Sequence, residues 1–375
     1  MSDLQSPTKH FGGLIDPVVS SAGAVVGTGE VDTLPIRSVV PGDETALVAL
    51  FAEVYGRPIE VAHWRWKLEH PGASNVWLAM SGERPVFQYA GIPTAFWVDE
   101  GPARAMVSVD TMTAPNFRRR GLLTQVAGET YRRWQEEGID FVIGLPNEQW
   151  GSRAAALGWQ LMFPLRWLML PLRPEALLAH RLALPALHRL SAVSAIWRRA
   201  MAALGRRDVS VQVRCVTSAG PEFDVLWERC KDDARFGVVR DRRWVQWRFL
   251  DCPSRHYEVR LATRSGQPIG YAAFFVRALD GGRSCAYLAE ICCLRGDLGA
   301  RDALLADIVA SLPDVELLST LAVPGTSTYR WLRRRAFLAR QAFQVQMVPL
   351  SAEVSPDTMR DPAQWELSGA AFDVI

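Results

Sequence analysis

The sequence has no cysteine before Cys215, no CxxC pair and no apolar run of about 18 residues. The six cysteines, Cys215, Cys230, Cys252, Cys285, Cys292 and Cys293, all fall in the second half. Adjacent Cys292 and Cys293 would point to opposite faces of a strand. A zinc site or disulfide framework is therefore not expected, and no metal is expected; buried, reduced thiols are. Without a long apolar run no membrane-spanning helix is expected. With Asp3 near the start and no continuous apolar segment in the first thirty residues, no secretory leader is expected, and a cytoplasmic location is. Charge of one sign is also lacking. Lys+Arg number 42 against Asp+Glu 40, a formal net charge of +2, so the whole chain makes no electrostatic case for a nucleic-acid partner.

What is present is apolar and aromatic. Hydrophobic residues make up 49% of the 375 and include 14 Trp, which excludes a largely disordered chain and suits two domains. Between a Gly/Ser/Thr-rich start and a Pro/Asp/Ser-rich end, the sequence repeats itself. IRSVV (36–40) is matched by VQVRCV (211–216), and His63-Trp64-Arg65-Trp66-Lys67 by Trp244-Val245-Gln246-Trp247-Arg248. VWLAM (76–80) is matched by YEVRLAT (257–263), and FVIGLP (141–146) by LLSTLAVP (317–324). The offset is about 180 residues, far longer than the period of a solenoid. The expected organisation is a flexible arm over 1–34, a first domain over 35–165 and a basic helical linker over 166–210. A second copy follows over 211–350, then a tail over 351–375 that Trp365 pins to a domain.

One further absence lies in the linker. From Leu177 to Arg207 there is no Asp or Glu, while Arg181, Arg189, Arg198, Arg199, Arg206 and Arg207 stand among Leu, Ala, Ile and Trp. Pro185 divides the stretch into two helices at most. Packing of the apolar face on the two domains is expected; contact of 177–207 with an anionic membrane surface is the alternative.

The stretch 106–159 carries the chemistry. MVSVDTMT (106–113) alternates as a strand, Ala114-Pro115-Asn116-Phe117 breaks it, and Arg118-Arg119-Arg120-Gly121-Leu122-Leu123-Thr124 opens a helix that stops at Gly138. Leu123, Val126, Ala127, Thr130 and Trp134 are its expected inner face. Strand, basic glycine turn and helix make an anion site. Free amides and the positive end of the helix dipole point at the ligand, glycine lets it approach, and arginines add charge-assisted bonds. The spacing is neither GxxxxGK[ST] nor GxGxxG.

DTMTAPNFRRRGLLT together with FVIGLPNEQWGSRAAALGW (141–159) resembles the GNAT acyltransferase superfamily. The likeness is to a bacterial branch with a DTMT-x-P-x-(aromatic) turn, a Pro-Asn segment and a closing Leu-Gly-Trp. Leu123 stands where that family has Gly or Ala. The resemblance implies an α/β fold of two tandem GNAT-like domains, each a mixed, mainly antiparallel sheet flanked by helices. It also implies acetyl-CoA (acyl-CoA) as cosubstrate. By the same resemblance the backbone of Met112, Thr113 and Ala114 would bond the pantetheine arm at a splay between the fourth and fifth strands. The turn from Arg118 through Arg119, Arg120, Gly121, Leu122, Leu123 and Thr124 would hold the pyrophosphate, with Asn147 near the thioester and Ser152 a further contact. Many members place an acidic Tyr in the helix after the fifth strand. Here Arg153-Ala154-Ala155-Ala156-Leu157 has none, leaving solvent as an alternative proton source.

Asp110 is the first candidate base, Glu148 the second and His63 a distant third. In the second copy Arg295-Gly296-Asp297 puts a carboxylate where the phosphate would sit, so only the first copy is expected to bind cofactor. Glu290 is expected to face an acceptor cleft, and Trp66 and Trp247 are expected in the core. The resulting reading is an N-acyltransferase acting on a primary amine of a small molecule or amino sugar. The alternatives are a non-catalytic binding protein of the same fold and an aminoacyl-type transferase. Neither the acceptor nor the oligomeric state follows from the sequence.

Overall fold

A computed structural model describes residues 34–70, 72–146, 150, 152–182, 184, 186, 191–205, 208–279 and 283–372. The arm expected over 1–34 lies, Leu34 apart, outside the described residues. The first half runs β1 (Ile36–Ser38), α1 (Glu44–Tyr55), α2 (Val61–Leu68), β2 (Val76–Ser81), β3 (Arg84–Val98), β4 (Gly101–Thr113), α3 (Leu122–Glu136), β5 (Phe141–Gly144), α4 (Ser152–Ala156) and β6 (Gln160–Pro171). Two helices follow, α5 (Pro174–Leu182) and α6 (Ser191–Leu204). The second half repeats the order: β7 (Val211–Val216), α7 (Glu222–Cys230), an added β8 (Phe236–Val238), α8 (Arg242–Val245), β9 (Glu258–Arg264), β10 (Gln267–Leu279), β11 (Arg283–Cys293), α9 (Leu298–Ser311), β12 (Leu317–Ala322), α10 (Ser327–Arg334) and β13 (Leu338–Pro349). A two-residue strand, β14 (Trp365–Glu366), closes the chain.

All strands join one 14-stranded sheet whose main path is β1-β2-β3-β4-β5-β13-β6-β12-β11-β10-β9-β7. The pairs β4–β5 and β11–β12 are parallel, each crossed by the helix between them, α3 or α9. The halves exchange their last strands. β13 pairs β5 of the first half, and β6 pairs β12 of the second. The boundary expected at 165/166 thus falls inside β6, and the stretch expected as a helical linker from 166 begins as strand up to Pro171. The physical reason is burial on both sides. Leu165, Trp167, Leu168 and Leu170 are all buried, alternating between the two faces of a strand at the centre of the sheet.

Each sheet face has its own core. On one face, α1 and α3 of the first half cover Phe87, Tyr89, Met106 and Val142 with Leu50, Phe51, Leu122, Val126 and Trp134. In the second half α9 covers Ile269, Phe274 and Leu288 with Leu304, Leu305 and Ile308. The buried face of α3 starts at Leu122, not at the expected Leu123, which is half-buried at the site. Gly91 on β3 makes room for this packing, since a Cβ there would lie 2.8 Å from the Trp134 ring. The opposite face is shared, with Trp64, Phe96, Phe141 and Phe163 meeting Phe236, Phe249 and Tyr271 in one cluster. Into it the tail inserts Trp365, 1% exposed, against Phe96, Phe163 and Phe236, while β14 pairs β8 and β8 pairs β3. The tail is pinned as its lone Trp implied. Cys292 packs in this shared cluster and Cys293 in the opposite one, as a strand requires; all six thiols are free and only Cys215 is exposed. No helix among the described residues is long and apolar enough to cross a membrane.

Candidate active site

The site lies where β4 outruns β5. The two strands pair only at Ala105–Val107 against Phe141–Ile143, after which β5 stops at Gly144 and β4 continues to Thr113. Next to this opening is a cleft of about 760 Å³, within the size range of small-molecule sites. Its walls include Tyr55, Thr111, Thr113, Arg118, Leu123 and Arg153.

One end of the cleft is the start of α3. Gly121 caps the helix at φ +75°, in the left-handed region, and a Cβ on it would meet nothing within 4 Å. The first bond of the helix runs from the Gln125 amide to the Gly121 carbonyl, at 3.1 Å. The amides of Leu122, Leu123 and Thr124 therefore lack an acceptor one turn earlier, and no side chain caps the helix. Arg118, Arg119 and Arg120 are exposed around them, and among the described residues no carboxylate pairs with any of the three. Arg118 Nε donates to the Thr113 carbonyl at 3.4 Å, and Arg120 Nη2 to the Asn116 carbonyl at 3.0 Å. These local bonds leave the guanidinium charges uncompensated at the positive end of a helix, an arrangement suited to a polyanion.

The other end is a β-bulge. Gln88 opposes Met112 while Ala90 opposes Val109, so two residues of β4 face Tyr89 alone. Asp110 takes up the extra length at φ +45°, a conformation Asp tolerates better than most residues. Its carboxylate forms a 2.5 Å ion pair with Lys67, whose side chain is only 2% exposed. A smaller cavity of about 150 Å³, walled by Tyr55, Ser108, Asp110, Trp150 and Trp159 among others, opens there. Tyr55 borders both cavities and donates its hydroxyl to the Thr111 carbonyl at 3.2 Å. Burial, and next the Asp110 carboxylate, push this phenol above its ordinary value and keep it protonated.

Residues 35–162 match the family model of the acetyltransferase (GNAT) domain. This part of the chain belongs to the GNAT superfamily. Across a longer span the fold is similar to that of a conserved protein of unknown function from Enterococcus faecalis described as a probable N-acyltransferase. Identity is 12%, the match covers 85% of this chain and 73% of that one, and the TM-score is 0.62. A GCN5-related N-acetyltransferase from Anabaena variabilis is similar at 12% identity over the same shares, with TM-score 0.63. Another from Kribbella flavida is similar at 13% identity over 84% and 71%, with TM-score 0.60. At such identities the likeness is one of fold. Among curated proteins no sequence relative matches the chain.

Within the GNAT domain, Arg118, Arg119, Gly121, Leu122, Leu123 and Thr124 all line the large cleft together with Thr113. Two expected backbone contacts are displaced. The Ala114 amide is already donated to the Val86 carbonyl of β3 at 2.9 Å. Met112, two residues earlier and opposite Gln88, presents its backbone groups to the same edge. By alternation, Thr113 is the residue whose backbone faces the opening. Asn147 and Glu148 lie outside the described residues, and Ser152 is described only as the start of α4. His63 is buried away from the site, its Nδ1 2.5 Å from Ser254 Oγ of the second half.

The corresponding helix start in the second half borders a cleft of about 650 Å³ but is capped and charge-compensated from within. Asp297 caps α9, accepting the Ala300 amide at 2.9 Å, and pairs with Arg264 at 2.7 Å. Glu290 does not face a cleft. It is buried on Arg240 at 3.0 Å and accepts from Ser368, because the tail closes over that strand. Sequence reasoning missed Tyr55, Lys67, Trp150 and Arg153. Arg153 stands in the very stretch searched for a Tyr. Tyr55 and Lys67 come from helices far upstream, and only folding brings them to β4.

Proposed function

We propose that the first half is an acyl-CoA-dependent N-acyltransferase, with acetyl-CoA as the simplest donor and a primary amine of a small molecule or amino sugar as acceptor. The observation that carries the reading is the uncapped start of α3. Three free amides and two arginines, Arg118 and Arg119, border a cleft that reaches the β4–β5 opening, with Arg120 beside them. In this reading the amides of Leu122 to Thr124, with Arg118, Arg119 and Arg120, hold the pyrophosphate, and Thr113 bonds the pantetheine arm. The thioester then lies beside the smaller cavity. The amine nitrogen attacks the acyl carbon, the C–S bond breaks, and the products are the amide and free thiol. Asp110 receives the amine proton. Tyr55, held protonated and bordering both cavities, supplies one to the leaving sulfur. The second half, with Asp297 on its own helix start, serves as the structural partner.

The test is calorimetry with acetyl-CoA on the wild type and on Gly121→Glu. We expect one binding site per chain, stabilisation of about 2.7 kcal/mol at a hundredfold excess over Kd, and loss of binding in the variant. Absence of binding by the wild type rejects the reading. Binding without turnover on a broad amine panel replaces it with a non-catalytic binding protein of the same fold.

A further inference from the structure

Helices α5 and α6 are held to the body of the protein by apolar side chains, the buried Ala176 and Ala179 and the partly buried Trp197 and Met201 among them, and by polar groups. Ser194 of α6 donates to the buried Glu175 of α5. Trp197 Nε1 donates to the Pro171 carbonyl at 2.6 Å, and Arg198 donates to the carbonyls of Val309, Leu312 and Pro313 at 2.9, 2.7 and 3.1 Å. The face turned to solvent is apolar as well. Leu178, Leu182, Leu184, Val193 and Ile196 are 49%, 55%, 52%, 41% and 67% exposed, and they are five of the eleven large hydrophobic residues exposed among the described residues. On α6 the exposed positions Ala192, Ala195, Ile196 and Arg199 follow the i, i+3, i+4, i+7 spacing of one helix face. A concentration of exposed apolar side chains of this kind marks an interaction site.

Charge selects the occupant. The stretch 177–207 has six Arg and no Asp or Glu. A second copy of the chain would bring the same positive charge to the contact, whereas an anionic bilayer complements it. The helices have 9 and 14 residues, too short to cross a hydrocarbon core of about 30 Å, and can only lie on it. We propose that the outer face of α5 and α6 docks on an anionic membrane surface. Leu178, Leu182, Leu184, Val193 and Ile196 enter the headgroup–acyl boundary while Arg199 faces the lipid phosphates. The inference does not depend on the acyltransferase reading.

The test is co-sedimentation of the full chain with vesicles of phosphatidylcholine alone or mixed with phosphatidylglycerol. Binding is expected only to the mixed vesicles, and is expected to weaken as salt rises. Ile196→Glu should lower the partition coefficient roughly tenfold or more, and Arg199→Glu at least about fivefold. Both side chains are exposed, so both variants should keep the wild-type melting temperature; Ile196→Ser serves in place of Ile196→Glu if that variant melts early. Equal binding to both vesicle types, no binding to either, or an Ile196→Glu protein that binds like wild type overturns the proposal. So does wild-type self-association that Ile196→Glu abolishes while vesicles are ignored.

Discussion

Trp66 and Trp247 each donate the indole N–H to the other's backbone carbonyl, at 2.8 and 3.0 Å. Their rings stack at 5.4 Å with an interplanar angle of 20°. The residues are 181 apart in sequence, the offset of the internal repeat. Equivalent positions of the two copies therefore meet across a local twofold relationship. Neither ring is fully buried, as was expected of core residues; they form a seam between halves.

That seam should couple the halves. Trp66→Ala and Trp247→Ala are each expected to destabilise by about 2 kcal/mol or more, less than a fully buried Trp would cost. The double variant should be less damaging than the sum by roughly 0.5–1.5 kcal/mol. Urea unfolding of the four proteins measures the coupling energy. Strict additivity would mean that the contact carries no energy.

Lys67 is buried on Asp110, which is itself part-exposed at the smaller cavity, and removal of the carboxylate strands the lysine. Asp110→Asn should cost about 3–5 kcal/mol and Lys67→Met less, while the double variant Lys67→Met/Asp110→Asn should recover part of the loss. Acetyl-CoA affinity, carried by the distant start of α3, should change little in Asp110→Asn, and kcat should fall. A Kd that rises as much as kcat falls would move Asp110 from proton transfer to cofactor binding.

Tyr55 supplies the contrast. Tyr55→Phe removes one hydroxyl and its bond to the Thr111 carbonyl, without opening a cavity. The expected result is a loss of about 10²-fold or more in kcat with KM for acetyl-CoA nearly unchanged. Steady-state kinetics at saturating donor provide the measurement. Wild-type kcat in Tyr55→Phe would return the proton-donor role to solvent.

Asp297 gives a pH dependence of stability. Its hydrogen bond with Arg264 holds the carboxyl below its ordinary value, opposed by burial and aided by the Ala300 amide. A carboxylate whose folded value is lowered binds fewer protons folded than unfolded. Its contribution is present above the unfolded value, near 3.8, and is lost as pH falls through the folded one. Asp297→Ala should cost about 1 kcal/mol at pH 7, through the lost cap, and less at pH 3. Denaturant midpoints at both pH values check this; a penalty that grows on acidification contradicts the assignment.

The anion-binding turn and the internal repeat were legible because both are local. Three arginines and a glycine before an amphipathic run determine a helix start that faces solvent with free amides. Period and punctuation mark the elements of each copy. The same local logic placed the Asp297 carboxylate at the start of the second copy's helix, where it caps α9. The inner face of α3 matches the expected one except for Leu122 in place of Leu123, where the first turn borders the cleft, and the added Tyr131.

What the sequence by itself determined is thus the element order, the two copies and the positive helix start. Tertiary structure alone decided the exchange of β6 and β13 between halves, the pairing of Lys67 with Asp110, and the arrival of Tyr55 at the cleft. Each of those depends on which distant segment supplies a strand edge, a counter-charge or a hydroxyl. A period of 2 or 3.6 residues carries no information about partners that are roughly 40 to 210 residues away. The apolar outer face of α5 and α6 belongs with them. Composition showed a basic, acid-free segment, but only the fold shows that Leu178, Leu182 and Leu184 face solvent.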